Sequence, residues 1–163
     1  MIARRTLIAS SAAGVAAAVA STFWRGGSQA AEAFAVTYSE AEWRKRLTPD
    51  QFAVLRQSGT ERPFTSPLDK EKRRGNFACA GCDLDLCSST AKFDSGTGWP
   101  SFWAPLEKAV GTEEDKSFGM TRTAVHCSRC GGHLGHLFDD GPKPTGLRYC
   151  MNGVAMTFKP VAA

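Results

Sequence analysis

The chain has 163 residues, of which 42% are hydrophobic and 22% are charged, and it contains 16 glycines and 8 prolines. This composition is typical of a compact globular protein with many turns, and it excludes a disordered or fibrous chain. The formal net charge is +4. It falls to about +2 if a segment ending near residue 33, with its three arginines and one glutamate, is removed. A charge this small gives no reason to expect nucleic acid as a partner.

The first 33 residues follow the order of an export signal. Arg4 and Arg5 form a basic start, an uncharged run rich in alanine follows, and small residues cluster before a cleavage point near residue 33. The adjacent arginines resemble a twin-arginine signal, which implies periplasmic or other export of an already folded protein. We predict a signal peptide over residues 1–33, one domain over residues 34–163, and no stable membrane span once the signal is removed. An uncleaved anchoring helix is the alternative.

Two short helices are predicted at the start of the domain. Ser39 begins a capping box, and Trp43 and Leu47, four residues apart, provide the first helix with a buried face. Thr48 then caps a second helix that runs to about Gln57.

Beyond these helices the helical periodicity disappears. Short segments rich in branched, aromatic or alternating residues are separated by glycine and proline, namely residues 77–79, 121–127, 137–138, 147–150 and 154–158. We therefore predict a mainly β fold, a small domain of twisted antiparallel sheets with short N-terminal helices.

Two Cys-x-x-Cys pairs, Cys79/Cys82 and Cys127/Cys130, predict one structural zinc site that staples this domain. Two such turns complete a tetrahedron of thiolates, and glycine at Gly81 and Gly131 relieves backbone strain. Since all four ligands come from the protein, no position stays open for chemistry. Two disulfides or a redox dithiol are the alternatives.

Cys150 follows the last metal-binding pair without a partner at that spacing. It is either an inert buried thiol or a nucleophile. Its neighbours in sequence favour a nucleophile, because His133 and His136 can transfer protons and Asp140 can orient an imidazole. Arg148 can lower the thiol pKa from its ordinary value of about 8.5.

Three segments, residues 92–102, 133–142 and 148–152, are similar to the B-type peptide methionine sulfoxide reductases, and the match extends from about Tyr38 to Pro160. The resemblance implies that Cys150 attacks the sulfur of methionine R-sulfoxide, becomes a sulfenic acid and releases methionine. It also implies oxidised proteins or peptides as substrates and a thiol, such as a thioredoxin-like protein, as reductant.

The same resemblance assigns the other site residues. His133 and His136 donate a proton or position a water, and Asn152 completes the catalytic group. The resemblance assigns contacts with the substrate to four residues, Trp99, Phe102, Asp140 and Arg148. Trp99 receives the methyl group of the substrate, although a tryptophan buried in the core is the alternative interpretation of this residue.

Many members of the family carry a resolving cysteine where this chain has Thr97. The disulfide usual for the family therefore cannot form with Cys150. Once the zinc ligands are assigned, Cys87 is the remaining cysteine. It is either a buried apolar residue or a substitute resolving cysteine, and direct reduction of the sulfenic acid by an external thiol is a third possibility.

Two other functions fit parts of the sequence. A zinc-ribbon binding module needs no reactive cysteine, but the small charge and the export signal argue against it. A thiol–disulfide oxidoreductase would use a Cys-x-x-Cys pair, which cannot then remain bound to zinc.

Overall fold

The computed structural model describes residues 34–161, so the predicted signal over residues 1–33 lies outside the described part of the chain. The described residues begin with helices α1 (Glu40–Arg46) and α2 (Pro49–Gln57). The predicted N-cap at Thr48 is confirmed and forms a full capping box, because the Gln51 N–H donates to the Thr48 hydroxyl at 3.2 Å and the Thr48 N–H donates to Gln51 Oε1 at 3.0 Å. The capping box predicted at Ser39 is formed in one direction, with the Glu42 N–H donating to the Ser39 hydroxyl at 3.3 Å. No helix among residues 34–161 is long and apolar enough to cross a membrane.

All strands in the described part of the chain pair antiparallel, in two sheets. The strands are β1 (Gly75–Cys79), β2 (Asp85–Ser88), β3 (Lys92–Phe93), β4 (Ser101–Phe102), β5 (Val110–Asp115), β6 (Arg122–Cys127), β7 (His133–Phe138), β8 (Arg148–Met151) and β9 (Met156–Pro160). One sheet has the order β2-β1-β9 and the other the order β3-β4-β8-β7-β6-β5. The prediction of a mainly β, antiparallel fold with short N-terminal helices is confirmed.

The hydrophobic core joins the two sheets. Phe77 of β1 and Phe102 of β4 are both fully buried, and their rings meet edge to face with centroids 4.9 Å apart. Leu55 of α2 and Met151 of β8 are buried in the same cluster. The core therefore fixes helix α2 and both sheets relative to one another.

Strand register sets up two rows of side chains on the larger sheet. Cys150 lies opposite Ser101 on one neighbouring strand and opposite His136 on the other. Tyr149, one residue earlier, lies opposite Phe102. Because successive residues of a strand point to opposite faces, Cys150 and Tyr149 project to different sides of the sheet. Since Phe102 is buried in the core, the Cys150 row faces away from it.

The predicted strands in β1, β6, β8 and β9 are present with small shifts at their ends, and β7 begins earlier than predicted. Strand β5 was not predicted, because its sequence Val-Gly-Thr-Glu-Glu-Asp has no alternating apolar residues. It forms the edge of the larger sheet, where both faces of a strand can remain polar.

Candidate active site and metal centre

The two Cys-x-x-Cys segments form the same turn. The Asp83 N–H donates to the Cys79 carbonyl at 2.8 Å, and the Gly131 N–H donates to the Cys127 carbonyl at 2.9 Å. Asp83 and Gly131 occupy equivalent positions with left-handed φ of 60° and 66°. The expected role for Gly131 fits this geometry, whereas the residue equivalent to it in the first turn is Asp83 and not Gly81.

The four sulfur atoms of these turns lie within 4.8 Å of one another. The closest pairs are Cys79 with Cys130 at 3.7 Å and Cys82 with Cys127 at 3.5 Å. Zinc–sulfur bonds of about 2.3 Å in a tetrahedron place sulfur atoms roughly 3.8 Å apart. The cluster therefore fits a single tetrahedral ion with four protein ligands, and all four cysteines are free of disulfides.

Cys150 lies on β8 and is half-buried. Burial raises the pKa of its thiol above the ordinary value. The positive charge of Arg148 and hydrogen bonding from Thr97 and Arg148 oppose this shift and lower the pKa. The loss of solvation outweighs the effects of Arg148 and Thr97, so Cys150 is a thiol in the resting protein. Arg148 and Thr97 lie beside it and can stabilise the thiolate when it forms.

Arg148 is fixed by a two-point contact with Asp140. Its Nε and Nη2 atoms donate to the two carboxylate oxygens at 2.7 and 2.8 Å, and the guanidinium lies over the Phe138 ring at 4.2 Å. The Asp140 carboxylate is paired with Arg148 and has no hydrogen bond to an imidazole among the described residues, so the prediction that it orients one is corrected. Its contact with substrate stays a prediction.

The imidazole of His136 is oriented by Asp115, which sequence analysis missed. Asp115 Oδ2 lies 2.8 Å from His136 Nε2 and also accepts a hydrogen bond from Arg122 at 2.7 Å. Hydrogen bonds from Ser117, then those from His136 and Arg122, lower the pKa of Asp115, so its carboxylate is ionised. Because a carboxylate only accepts, Nε2 of His136 carries the proton and Nδ1 remains available.

His133 differs from His136 in its surroundings. It is 7% exposed, and its ring centroid lies 5.3 Å from that of His136. Its Nε2 atom has no hydrogen-bond partner in the described part of the chain. Burial, with a smaller contribution from His136, lowers the pKa of His133 to about 4. His133 is therefore a neutral imidazole at pH 7.

Glu61 connects two of the predicted site residues through its main chain. Its N–H donates to Asn152 Oδ1 at 2.9 Å, and its carbonyl accepts from the Trp99 indole N–H at 3.1 Å. Asn152 Nδ2 also donates to the Leu134 carbonyl at 3.0 Å. Asn152 and Trp99 are thus held by one segment that precedes β1, and neither side chain is free to turn.

The side chain of Glu61 anchors this segment. Its carboxylate accepts the main-chain N–H groups of Gly153 and Val154, the latter at 3.0 Å. Burial raises the pKa of Glu61, and the two N–H groups oppose that shift. Sequence analysis missed Glu61 because it lies in an irregular segment between α2 and Pro63 without a periodic pattern.

A cavity of about 120 Å³ unites the reactive residues. It is lined by Thr60, Trp99, Arg122, Gly135, His136, Phe138, Cys150 and Asn152. A Cβ atom at Gly135 would overlap the carbonyl oxygen of Cys150, so only glycine lets β7 approach β8 this closely. A larger groove of about 730 Å³ beside α2 contains none of the predicted site residues and shares only Thr60 with the cavity.

The predicted catalytic, substrate-binding and resolving residues that do not line this cavity are His133, Phe102, Asp140, Arg148 and Cys87. Phe102 is fully buried against Phe77, because it projects to the core face of β4, so its assignment to substrate binding is corrected. Cys87 is fully buried on β2, and burial raises the pKa of its thiol. Cys87 belongs to the same core cluster as Phe102, against which Tyr149 packs, so it lies on the core side of β8, opposite to Cys150.

The metal cluster leads to a test of stability. We expect the purified protein to contain one zinc per chain, and Cys127→Ser to lose it and melt at least about 10 °C lower, because structural zinc supplies several kcal/mol of folding free energy. Metal analysis and thermal unfolding measure both effects. Cys150→Ser is the matched control and should keep the metal. Full zinc content and an unchanged Tm in Cys127→Ser would contradict the assignment.

Comparison with known proteins agrees with this geometry. Residues 47–160 match the SelR domain family. A relative from Agrobacterium fabrum, named peptide methionine sulfoxide reductase MsrB, is 53% identical over 127 residues, covering 77% of this chain and 94% of the relative. Relatives of the same name from Pseudomonas putida and Methanosarcina barkeri are 57% and 56% identical, over 73% and 77% of this chain and 90% and 89% of their own lengths. The chain therefore belongs to the SelR domain family.

Proposed function

We propose that this protein is a peptide methionine (R)-S-oxide reductase. The observation that carries the proposal is the pairing of Cys150 with His136 across β8 and β7, where both line one small cavity. Four of the other five cysteines are gathered in the cysteine cluster and the fifth, Cys87, is fully buried, so Cys150 is the thiol available for chemistry. The names of the relatives support the same activity, and the B-type resemblance supports the R epimer.

The cavity suits the side chain of an oxidised methionine. Trp99 and Phe138 offer aromatic surfaces to the methyl group, while Asn152 and Arg122 offer hydrogen-bond donors to the oxygen. Glu61 holds Trp99 and Asn152 in fixed positions, so substrate enters a site that is already formed.

The chemical step transfers one oxygen. The thiolate of Cys150 attacks the sulfoxide sulfur and forms an S–S bond while the oxygen is protonated. A new S–O bond then forms on the cysteine sulfur as the S–S bond and the original S–O bond break, so methionine leaves as a thioether and Cys150 becomes a sulfenic acid. The proton lost by the thiol is matched by the proton gained by the oxygen, so the step is neutral overall. The cysteine sulfur is oxidised by two electrons and the methionine sulfur is reduced by two.

His136 is suited to carry that proton. The ionised Asp115 faces its Nε2–H and stabilises the imidazolium, which can then donate from the other nitrogen to the departing oxygen. His133 is neutral and packs against His136, so it shapes the site without adding positive charge.

Regeneration of Cys150 is assigned to external thiols. One thiol attacks the sulfenic sulfur and expels water to leave a mixed disulfide, and a second thiol then releases Cys150. A thioredoxin-like dithiol supplies both of these thiols. The buried position of Cys87 on the other side of β8 and its raised pKa favour this route over a resolving role for Cys87.

Zinc is proposed as the ion of the thiolate cluster. Cys79, Cys82, Cys127 and Cys130 would hold it, and with four protein ligands it would supply structure only.

Replacement of the nucleophile tests the enzyme directly. Cys150→Ser should abolish reduction of N-acetyl-methionine R-sulfoxide, because a hydroxyl lacks the nucleophilicity of a thiolate, while the S epimer should be inert even with the unchanged protein. Steady-state assays with thioredoxin measure both. Cys87→Ala is the control and should retain full turnover. Residual R-sulfoxide reduction by Cys150→Ser would refute the proposal, and lost cycling in Cys87→Ala would restore the resolving role.

Asp115 gives a second test. Asp115→Asn keeps a polar group beside His136 but removes the negative charge that stabilises the imidazolium, so kcat should fall at least about tenfold with little change in KM. Glu114→Gln removes a charge from an exposed position on the same strand and is the control. Equal kcat values for the two variants would rule out a role for Asp115 in proton transfer.

We also propose that the protein is exported by the twin-arginine route. The basic pair and the alanine-rich run before residue 33 support this proposal. Changing Arg4 and Arg5 to lysine should leave precursor in the cytosol of a bacterial host, as measured by cell fractionation. The same change at Arg73 and Arg74, an adjacent pair within the folded domain, should have no effect. Normal export in a strain without that route would contradict the proposal.

A further inference from the structure

Phe64 presents an aromatic ring to solvent beside the candidate active site. It is 66% exposed, whereas most large apolar side chains of the described residues are buried or half-buried. Its φ of 64° lies in the left-handed region, which is uncommon for a residue with a bulky side chain. Burial therefore does not explain why a phenylalanine occupies this position, and its backbone conformation is unfavourable.

Contacts with Gly98 hold the ring in place. The Phe64 N–H donates to the Gly98 carbonyl at 2.7 Å. A Cβ atom at Gly98 would lie 2.8 Å from atoms of the Phe64 ring, so the ring covers the glycine backbone directly. Gly98 precedes Trp99, which lines the cavity, and Phe64 is thereby fixed next to the cavity without belonging to its lining.

The segment that carries Phe64 is braced on both sides. Glu61 ties its start to Asn152 and Trp99. After Phe64, the Thr65 hydroxyl donates to the Arg62 carbonyl at 2.7 Å. An exposed aromatic ring on a braced segment loses little conformational freedom on binding, which is the property of an interaction hot spot.

The size of the cavity indicates what the ring meets. Sites for whole small-molecule ligands are usually about 300 Å³ or larger. The cavity at Cys150 has a volume of about 120 Å³, which suits one side chain. The main chain and the neighbouring residues of a polypeptide substrate must therefore lie outside it, on the surface around Trp99 where Phe64 is exposed.

We propose that Phe64 binds an apolar side chain adjacent to the oxidised methionine in polypeptide substrates, and so contributes to substrate selection. The inference rests on the proposed function, because it places the sulfoxide in the cavity of Cys150. The surface of Phe64 is apolar, so it discriminates in favour of leucine-like neighbours and against charged ones by burial of apolar area.

The test compares three substrates with the full enzyme and thioredoxin: N-acetyl-methionine R-sulfoxide, a peptide with leucine on both sides of methionine R-sulfoxide, and the same peptide with aspartate. The unchanged protein should prefer the leucine peptide. Phe64→Ser should reduce kcat/KM for that peptide about tenfold and remove the preference, with the small substrate unaffected. Phe64→Leu should retain most of the preference. Val161→Ser, at a position that is 68% exposed beyond the end of β9, is the control and should change nothing.

Other outcomes overturn the inference. Equal kcat/KM values for the two peptides with the unchanged protein would show that no apolar neighbour is selected. Loss of activity towards the small substrate in Phe64→Ser would assign the ring to the support of Trp99. A raised KM for thioredoxin with normal peptide kinetics would assign it to the reductant. Failure of the unchanged protein to reduce even the small substrate would instead remove the proposed function, and this inference with it.

Discussion

The convergence of four cysteine sulfurs is the constraint on which the rest of the structure depends. Cys79 ends β1 in the smaller sheet, while the turn from Cys127 to Cys130 joins β6 to β7 in the larger one. A metal ion bound by all four would therefore tie the two sheets together at one point. His133, the first residue of β7, comes shortly after that turn, so the position of the histidine strand would be set by the metal as well as by strand pairing.

Several groups in or next to the cavity are held by a carboxylate residue that does not itself carry out the chemistry. Asp115 orients His136, Asp140 fixes Arg148, and Glu61 holds Asn152 together with Trp99. The same arrangement explains why the site combines a raised thiol pKa with nearby stabilising groups. The cavity itself is partly apolar and disfavours charge, whereas the supporting carboxylates lie around it and fix where charge can be accommodated.

Features set by local interactions could be predicted from the sequence. The N-cap at Thr48 and the two Cys-x-x-Cys turns span a few residues each, and their patterns predicted the structure found. Contacts with distant partners could not be predicted. Asp115 is 21 residues from His136 and Glu61 is 91 residues from Asn152, and no pattern in the sequence marks these pairs.

Nearness in sequence also misled the assignment of partners. Asp140 lies four positions after His136, yet the two residues do not pair, because Asp140 is engaged by Arg148 from the adjacent strand β8. For Phe102, the error came from strand alternation. Its neighbour Ser101 faces the same side as Cys150, and a one-residue shift places Phe102 in the core. Such errors are resolved only by the register between strands.

The polar edge strand β5 affects whether another chain can pair with the larger sheet. An open strand edge offers unpaired N–H and C=O groups, onto which another extended chain can add as a further strand. Glu113 and Glu114 occupy this edge and are exposed, so a chain pairing there would have to bring its own charges or polar groups against two carboxylates. The two carboxylates therefore disfavour the addition of a further strand to the larger sheet, and so protect this edge against aggregation.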